Sequence, residues 1–351
     1  MTVTTPSTHI IGAGLIGASI GIGLSAEGWT VTIEDANPEA EILARSIGAG
    51  GATPFEEPQL IIVAAPPSVT LRLVPEALER FPHAVVTDVA SVKAPILKAA
   101  RASGLSERYV GSHPMAGREV SGALAAQGDL FRARPWVISA GDATPAAVAL
   151  VRQVADALQA DAVEMPAHDH DLAVARVSHA PQAAASAVAA ALGPLGEDDV
   201  ALAGPGLRDV TRIAGSAPEM WTDIARLNRD AIDQTLGNIV DALNAVREAD
   251  DIGAAMAHLV DKGRREVARI PGKHGGAKRE WEAVTVIVPD EPGHLLRLLS
   301  DTAGIGVNVE DLSIEHSPRQ PVGLTTLWVL PQRVAELVEA LEESGWVVAG
   351  S

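Results

Sequence analysis

Short apolar runs alternate with helical stretches throughout the first half of the chain. An apolar run at residues 9–11 leads into Gly12, and helical spacing then continues to about residue 26. Further strand-like runs lie at residues 30–33, 60–64, 84–86, 136–139 and 162–164. Strands separated by helices of about 10–15 residues are typical of βαβ units around a parallel sheet. Residues 1–166 are therefore expected to form an α/β domain.

The pattern changes near residue 168, where β-branched runs become rare and Ala-rich stretches with helical spacing begin. These stretches cover residues 169–192, 218–247 and 251–269. Gly and Pro interrupt them at residues 193–194 and 204–206, as these residues commonly do. Residues 167–278 are expected to form an all-α domain, and the Gly-rich segment at its end, residues 271–276, a linker.

The last part of the chain returns to strand patterns. Strands are predicted at residues 283–288, 307–315, 324–330 and 346–349, and helices at residues 293–303 and 332–343. This βαββαβ order is that of a ferredoxin-like fold, which we assign to residues 279–351.

Length and composition fit three domains and restrict the function. The chain has 351 residues, 47% of them hydrophobic, which is enough for two or three cores. Lys and Arg number 27 against 45 Asp and Glu, and the net charge of -18 argues against nucleic acid as a partner. The absence of cysteine excludes disulfides and thiol nucleophiles. No signal peptide or membrane-spanning stretch is recognised, so a cytoplasmic protein is expected.

A glycine-rich segment, GAGLIG at residues 12–17, follows the first predicted strand and opens the first predicted helix. Its glycines permit a tight turn, close approach of a pyrophosphate and close packing of helix on strand. Asp35 ends the second strand, where a carboxylate binds the adenosine ribose and repels a 2′-phosphate. The sequence therefore predicts a Rossmann-type domain that binds NAD. The predicted cofactor-binding residues are Gly12, Gly14, Leu15, Ile16, Gly17, Asp35 and Ala65.

His113 lies in a Gly-bounded segment, residues 111–117, which is predicted to be a loop after a strand. A histidine in such a place can be a general base near neutral pH. Ser91 also follows a strand of this domain, and ligands of such sheets bind at the carboxyl ends of the strands. Ser91 could therefore bond to His113 or to a substrate, and an N-cap of the next helix is an equally good interpretation.

Several blocks in the right order resemble the prephenate and arogenate dehydrogenase family, whose members make tyrosine precursors by NAD-linked oxidative decarboxylation. In the first half these are GAGLIG at 12–17, DANP at 35–38, SVK at 91–93 and SHPMAG at 112–117. In the helical half they are HDHD at 168–171, SHAP at 178–181 and RDVTRIAGSAPEMW at 208–221. The resemblance covers nearly the whole chain.

The resemblance implies a reaction. Hydride leaves C4 of prephenate for nicotinamide, a base takes the C4 hydroxyl proton, and loss of CO2 makes the ring aromatic. By this resemblance His113 is the base, and Ser91 polarises the same hydroxyl.

The resemblance also implies a substrate site. Arg212 matches the arginine that binds the ring carboxylate, a bidentate contact that Lys would reproduce poorly. Asp209 could orient Arg212 if the segment is helical. Glu119 matches an acid near the site entrance, although a solvated surface position suits it nearly as well. The other residues assigned to this site are Ser178 and Gln182.

Two departures from the family pattern bear on the substrate. Gln182 stands where the family often has a second His, and residues 204–206 read GPG instead of three glycines. Both positions lie near the substrate side chain in the family, so they leave open whether prephenate or arogenate is preferred. Prephenate is kept first on family frequency alone.

The HDHD block could suggest a metal site. Residues two apart on a helix face apart, however, and the reaction needs no Lewis acid. Helix N-capping by Asp169 or Asp171 is the better interpretation, and no metal is predicted.

The C-terminal domain resembles the ACT domain, a regulatory module that binds amino acids. Its marker is the strand-to-helix turn at residues 289–295, where Gly would let a ligand approach the backbone. An amino acid carboxylate would lie at the helix N-terminus, with a strand residue near its amine. An aromatic amino acid effector is predicted, bound by Asp290, Gly293, His294 and Asn308. A domain that only dimerises is the alternative.

These observations together predict an NAD-dependent prephenate dehydrogenase that dimerises through its helical domain. The alternatives are an arogenate dehydrogenase, a hydroxyacid dehydrogenase and a non-catalytic protein that senses NAD and amino acids. A hydroxyacid dehydrogenase would usually need a Lys base, which residues 178–181 lack. A sensor would need neither His113 nor Arg212.

Overall fold

The computed structural model describes residues 5–53, 55–117, 122–270, 280–316 and 322–349. The chain divides into two compact units, Met1–Asp241 and Ala242–Ser351. The boundary between these units falls inside the helical domain expected at residues 167–278, and the division into three domains stays a prediction. None of the helices in the ranges above has both the length and the apolar character needed to cross a membrane.

The first unit is built on a seven-stranded sheet. Its strands are β1 (Thr8–Ile11), β2 (Val31–Glu34), β3 (Leu60–Val63), β4 (Val85–Asp88), β5 (Tyr109–Pro114), β6 (Pro135–Ser139) and β7 (Asp161–Glu164). They lie in the order β2-β1-β3-β4-β5-β6-β7, and all neighbours are parallel except β5 and β6. The predicted parallel α/β sheet is confirmed from β1 to β5.

Strand β6 runs antiparallel to β5, which the sequence pattern did not indicate. A parallel connection needs a crossover, usually a helix. The described residues between these two strands form a 3₁₀ turn, Ala123–Ala125, and no α-helix. Strand spacing alone does not reveal the reversal, because an apolar run looks the same in both directions.

Among the described residues, five helices lie between the strands of this sheet in sequence. They are α1 (Leu15–Ala26), α2 (Pro38–Ser46), α3 (Pro67–Arg80), α4 (Ala94–Ala102) and α5 (Pro145–Ala157). In β3, Ile62 packs in one apolar cluster and Ile61 in another. Successive side chains of a strand point to opposite faces of the sheet, so β3 is covered on both faces. This is why its sequence is a continuous apolar run and does not alternate with polar residues.

The chain after β7 is helical, as predicted. The helices are α6 (Ala167–Val174), α7 (Ala180–Ala190), α8 (Glu197–Val200), α9 (Pro205–Thr211), α10 (Pro218–Leu227) and α11 (Arg229–Arg247). A π-helical turn, Ala175–His179, joins α6 to α7 and interrupts what the spacing predicts as one helix. Pro181 contributes to the interruption, because it has no amide hydrogen to donate in a regular helix. Such π turns are frequent at functional sites.

The second unit contains α12 (Ile252–Val267) and an antiparallel sheet with two helices. The strands are β8 (Glu282–Pro289), β9 (Asp311–His316), β10 (Val322–Val329) and β11 (Val347–Val348), and the helices are α13 (His294–Gly304) and α14 (Val334–Glu343). The strand order is β11-β8-β10-β9. Val284 and Val286 of β8 pack in one buried cluster with Leu298 of α13 and Leu337 of α14. The element order from β8 to β11 is the βαββαβ order predicted from the sequence.

A fully buried ion pair joins the ends of β4 and β5 to the start of α4. Lys93 and Asp88 have no exposed side-chain surface, and Lys93 Nζ donates to Asp88 Oδ1. Lys93 Nζ also donates to Ser112 O at 2.7 Å, and the Tyr109 hydroxyl donates to Asp88 Oδ2 at 2.6 Å. Burial lowers the pKa of Lys93, which the charge of Asp88 opposes, and burial raises the pKa of Tyr109 well above its usual value.

We expect Lys93→Met to lower the free energy of unfolding by about 3–5 kcal/mol, because Asp88 would keep a buried charge without its cation. Lys98→Met is the matched control in α4. Lys98 is exposed, so its replacement should change the unfolding free energy by no more than about 0.5 kcal/mol. Urea denaturation followed by near-UV circular dichroism measures both variants. Equal midpoints would contradict a structural role for the pair.

Candidate active site

The three glycines of residues 12–17, at the turn from β1 into α1, have different surroundings. A Cβ on Gly12, where φ is +116°, would lie 2.2 Å from a backbone carbonyl oxygen, and a Cβ on Gly17 would lie 2.0 Å from Gly12 O. A Cβ on Gly14, the N-cap of α1, would meet no protein atom within 4 Å. Packing therefore requires Gly12 and Gly17, whereas Gly14 faces open space at the positive end of a helix. That space suits a pyrophosphate, which would also meet the backbone of Leu15 and Ile16.

Asp35 follows β2 and lies beside this turn. Its Oδ2 accepts a hydrogen bond from Ala13 N at 2.6 Å, and its Oδ1 accepts one from Asn37 N at 2.8 Å. Ala65 lies at the same edge, because its backbone N would be 3.3 Å from a Cβ on Gly12. A half-buried carboxylate directly after β2 and beside the glycine turn fits the ribose of a dinucleotide. The residues present therefore fit NAD.

His113 lies inside β5 and not in a loop, so the sequence-based assignment was wrong on this point. It pairs with Val137 of the antiparallel strand β6, the element whose direction the pattern did not reveal. The parallel strands β1, β3, β4 and β5 end at one edge of the sheet, and His113 is next to last in β5. His113 is therefore on the same sheet edge as the glycine turn.

The imidazole of His113 is held in its neutral form. Loss of hydration on burial is the largest cause, and His170, Lys93 and His179 add to it, so the pKa of His113 lies well below its usual value. The side chain is only half-buried, so a ligand can still reach it. A neutral, accessible imidazole can accept a proton.

His170 and Asp171 complete a buried chain of hydrogen bonds behind His113. His113 Nδ1 lies 2.9 Å from His170 Nε2, and His170 Nδ1 lies 2.8 Å from Asp171 Oδ1. Asp171 also accepts from the backbone N–H groups of Lys93 at 2.7 Å and Ala94 at 2.8 Å. Asp171 is thus a helix cap, as the sequence suggested, but it caps α4 and not its own helix.

Ser91 makes neither of the protein contacts expected of it. Within the described part of the chain its hydroxyl has no hydrogen bond to His113, and the N-cap residue of α4 is Lys93. The cap of α4 comes instead from Asp171, which leaves the Ser91 hydroxyl available. A contact between Ser91 and a substrate stays a prediction.

A third histidine, His179, lies close to these hydrogen-bonded residues. Asn228 Nδ2 donates to Asp171 O at 2.8 Å and lies 3.2 Å from His179 Nδ1. His179, at the end of the π turn, packs edge-on against Trp221 at 6.1 Å. Burial is the largest cause that lowers the pKa of His179 to about 4, although Asp171 opposes it.

Gln182 binds the turn that begins at Arg212. Gln182 Nε2 donates to Ile213 O at 3.0 Å and to Ser186 Oγ at 3.3 Å, and its Oε1 accepts from Ser216 Oγ at 3.4 Å. The buried amide of Gln182 is therefore occupied in holding the 3₁₀ turn that begins at Arg212. The Arg212 side chain is exposed at the start of this turn.

Asp209 does not pair with Arg212, contrary to the sequence-based expectation. Asp209 is exposed on α9 and has no ion pair with any described residue. The α-helix ends at Thr211, and the chain continues from Arg212 as a 3₁₀ turn, so the helical spacing behind the expectation is not kept. Ser178 lies half-buried in the π turn. Glu119 lies outside the described residues.

The four residues proposed for an effector lie in the second unit, on either side of α13. Gly293 is the N-cap of α13 in a left-handed conformation, with φ of +93°. His294 Nδ1 lies 3.9 Å from Glu291 Oε2. Asn308 is exposed and precedes β9, which begins only at Asp311, so it is not the strand residue expected from the sequence. Asp290 lies in the turn between β8 and α13.

No role was predicted for His170, His179 or Asn228 from the sequence, although one signal could have identified His170. The buried face of α6 consists of Ala167, His170, Asp171 and Val174, which is regular helical spacing. Two polar residues at core positions of a helix call for an explanation, because such groups are buried only when hydrogen-bonded.

Comparison with known proteins identifies the relatives of this chain. The family model described as the nucleotide-binding domain of prephenate dehydrogenase matches residues 20–164, and the one described as its dimerization domain matches residues 166–254. The "Probable prephenate dehydrogenase NovF" of Streptomyces niveus is 31% identical, over 96% of this chain and 98% of its own length.

Solved structures of two dehydrogenases are also similar to this chain. The prephenate dehydrogenase of A. aeolicus, in complex with hydroxyphenyl propionate and NAD+, is 25% identical with a TM-score of 0.66, over 76% of this chain and 100% of its own. The arogenate dehydrogenase of Synechocystis is 26% identical with a TM-score of 0.61, over 74% of this chain and 99% of its own.

We expect Gly14→Ala to keep the stability of the parent chain but to raise the Kd for NAD by about tenfold or more, because the new methyl group would occupy the space left for the pyrophosphate. Gly17→Ala is the contrasting variant, since its Cβ would overlap Gly12 O, and we expect it to lower the Tm. Calorimetric titration with NAD and thermal melting measure the two effects. Unchanged NAD affinity in Gly14→Ala would contradict this use of the open space.

Proposed function

This chain belongs to the family of NAD-dependent prephenate dehydrogenases, and we propose that prephenate, and not arogenate, is its preferred substrate. The reaction is the oxidative decarboxylation of prephenate to 4-hydroxyphenylpyruvate. The observation that carries the assignment of chemistry is the neutral His113 at the same sheet edge as the glycine turn and Asp35. A base next to a nicotinamide site is what removal of a hydroxyl proton and a hydride requires.

We assign three domains to the chain. Residues 1–166 bind NAD, residues 167–278 form the substrate and dimerisation domain, and residues 279–351 form an ACT domain. The βαββαβ order of the last segment and its left-handed Gly293 before α13 support the ACT assignment. A homodimer in the cytoplasm is part of this proposal.

NAD, when bound, supplies the hydride acceptor. The protein's own part is to hold the C4 hydroxyl of the substrate near His113 and to take its proton. The low pKa of His113 keeps its imidazole neutral at pH 7, so a proton acceptor is present before the reaction begins. The Ser91 hydroxyl, which has no partner among the described residues, is free to donate to the substrate oxygen.

Arg212 is the proposed clamp for the ring carboxylate. A guanidinium forms two parallel hydrogen bonds with a carboxylate, which fixes both position and orientation. Gln182 supports the clamp by holding the carbonyl of Ile213, the next residue. Ser178 and Glu119 are retained as further residues of the substrate site.

Arogenate dehydrogenase is the second candidate function. Arogenate differs from prephenate in carrying an amine where prephenate has a keto oxygen. Gln182 does not decide this choice, because its buried amide uses both N–H donors on Ser186 and Ile213 and keeps one lone pair of Oε1 beside the bond from Ser216. The preference for prephenate is supported by the relatives named prephenate dehydrogenase.

We expect His113→Asn to fold and to bind NAD while kcat falls by about 10²–10⁴-fold, because the proton acceptor is lost. His83→Asn, at an exposed loop histidine, is the control and should behave as the parent chain. NADH formation with prephenate and with arogenate in parallel measures activity and substrate choice together. Full turnover in His113→Asn would remove it as the base, and faster turnover of arogenate would reverse the substrate assignment.

The lowered pKa of His113 predicts how kcat depends on pH, and the same assay measures it. The base works only while neutral, and its pKa is lowered, so kcat should persist below pH 6.5, the usual pKa of histidine, and should fall only as the pH drops through the lower folded value. A kcat that halves near pH 6.5 or above would contradict a base with a lowered pKa.

Feedback control through the ACT domain is the remaining proposal. We expect tyrosine or phenylalanine to lower the rate of NADH formation and to raise the Tm, because a ligand that binds the folded state stabilises it. Leucine is the control ligand, and His294→Ala should weaken the response. If neither aromatic amino acid changes rate or Tm, the domain has no such regulatory role.

A further inference from the structure

Helix α6 carries two His-Asp pairs with opposite surroundings. His168 and Asp169 are exposed, whereas His170 and Asp171 are buried, with 1% and 4% of their surface accessible. The buried pair lies directly behind His113, at 2.9 Å from His113 Nδ1 to His170 Nε2. The exposed pair therefore serves as a control for the buried pair, only two residues away in the sequence.

The direction of each hydrogen bond in this chain follows from Asp171. Both carboxylate oxygens of Asp171 accept backbone N–H groups, those of Lys93 and Ala94, so this side chain acts as an acceptor. His170 Nδ1 must then carry a proton and donate it to Asp171 Oδ1. In a neutral imidazole the other nitrogen has no proton, so His170 Nε2 is an acceptor. The proton between the two histidines consequently belongs to His113 Nδ1.

Nε2 of His113 is thereby left with its lone pair. We propose that His170 and Asp171 are positioning residues that fix His113 in the tautomer whose Nε2 accepts the substrate proton. The proposal rests on the proposed function, in which His113 is the base. During the reaction the substrate O–H bond breaks and an Nε2–H bond forms, while the proton on Nδ1 stays in place.

The residues around these hydrogen bonds make their donor-to-acceptor direction hard to reverse. Asn228 Nδ2 donates to the carbonyl of Asp171, which anchors the residue from its backbone. The groups that face His113 are His170 from α6, His179 from the π turn and Lys93 from the start of α4. No carboxylate contacts His113 within the described ranges, so its orientation depends on His170.

Asp171→Asn tests the direction of these hydrogen bonds. His170 Nδ1 and the Lys93 N–H share Oδ1 of Asp171, and the Ala94 N–H binds Oδ2. An Asn with its amide nitrogen at the Oδ1 position loses the Lys93 bond and donates to His170 Nδ1, which moves the His170 proton to Nε2 and the His113 proton from Nδ1 to Nε2. The base would then be blocked, and we expect kcat to fall by about 100-fold or more while the KM for prephenate and the Kd for NAD stay unchanged. Asp169→Asn, on the same helix but exposed, should match the parent chain.

His170→Gln tests the same hydrogen bonds but leaves Asp171 in place to cap α4. It therefore gives a second test if Asp171→Asn folds poorly. We expect kcat to fall by about tenfold or more without a change in KM, because His113 loses its fixed acceptor. His168→Gln is the exposed control. The ¹⁵N-histidine NMR spectrum, with His113→Asn to assign the signal, should show a proton on Nδ1 of His113 in the parent and on Nε2 in Asp171→Asn.

The outcomes separate this proposal from the function itself. If His113→Asn is inactive while His170→Gln and Asp171→Asn keep the parent kcat, the positioning role of His170 and Asp171 is wrong and the assignment of His113 as the base stands. If His113→Asn is active, both are wrong. Variants that change only KM or Tm, or an unchanged NMR signal of His113 in Asp171→Asn, would also overturn the positioning role. Selective loss of kcat with the tautomer shift would establish it.

Discussion

A buried charge pair is the constraint on which the first unit depends. Lys93 and Asp88 are both inaccessible to solvent, and a charge taken out of water is stable only with a partner in good geometry. Asp88 ends β4, and Lys93 reaches from the start of α4 to the carbonyl of Ser112 in β5. The backbone N–H of Lys93 binds Asp171 of α6. One residue thus connects two strands and two helices.

The arrangement of the site follows from this pair. The Lys93–Ser112 contact fixes the strand residue just before His113, and the Lys93–Asp171 contact fixes the residue just after His170. The two histidines are therefore held at hydrogen-bond distance by anchors on both sides. The low pKa of His113 arises from the same packing, because burial and the nearby Lys93 both disfavour an imidazolium ion.

The overall charge of the protein does not decide what it binds. A net charge of -18 disfavours an extended polyanion such as nucleic acid. NAD is nevertheless an anion, and so is a dicarboxylate substrate. The open N-terminus of α1 at Gly14 offers a local positive field for the first, and the proposed clamp at Arg212 offers a cation for the second. Local groups within a few ångströms outweigh a diffuse charge that salt screens.

The sequence by itself determined the features that depend on neighbouring residues. The apolar runs of β1 and β3, the glycine turn and the βαββαβ order all follow from local periodicity and backbone geometry. Gly12 and Gly17 could be recognised because no other residue fits their backbone surroundings. His113 stood out through its flanking glycines and through the family resemblance.

Only the tertiary structure decided how distant residues meet. His113 and His170 are 57 residues apart, and Lys93 and Asp171 are 78 apart, so no local pattern pairs them. The reversal of β6 and the change from α-helix to 3₁₀ turn at Arg212 likewise depend on packing, and the second of these separates Asp209 from Arg212. Local sequence fixes the conformations that each segment can adopt. Which buried polar groups become partners is settled only when the folded chain must satisfy every one of them.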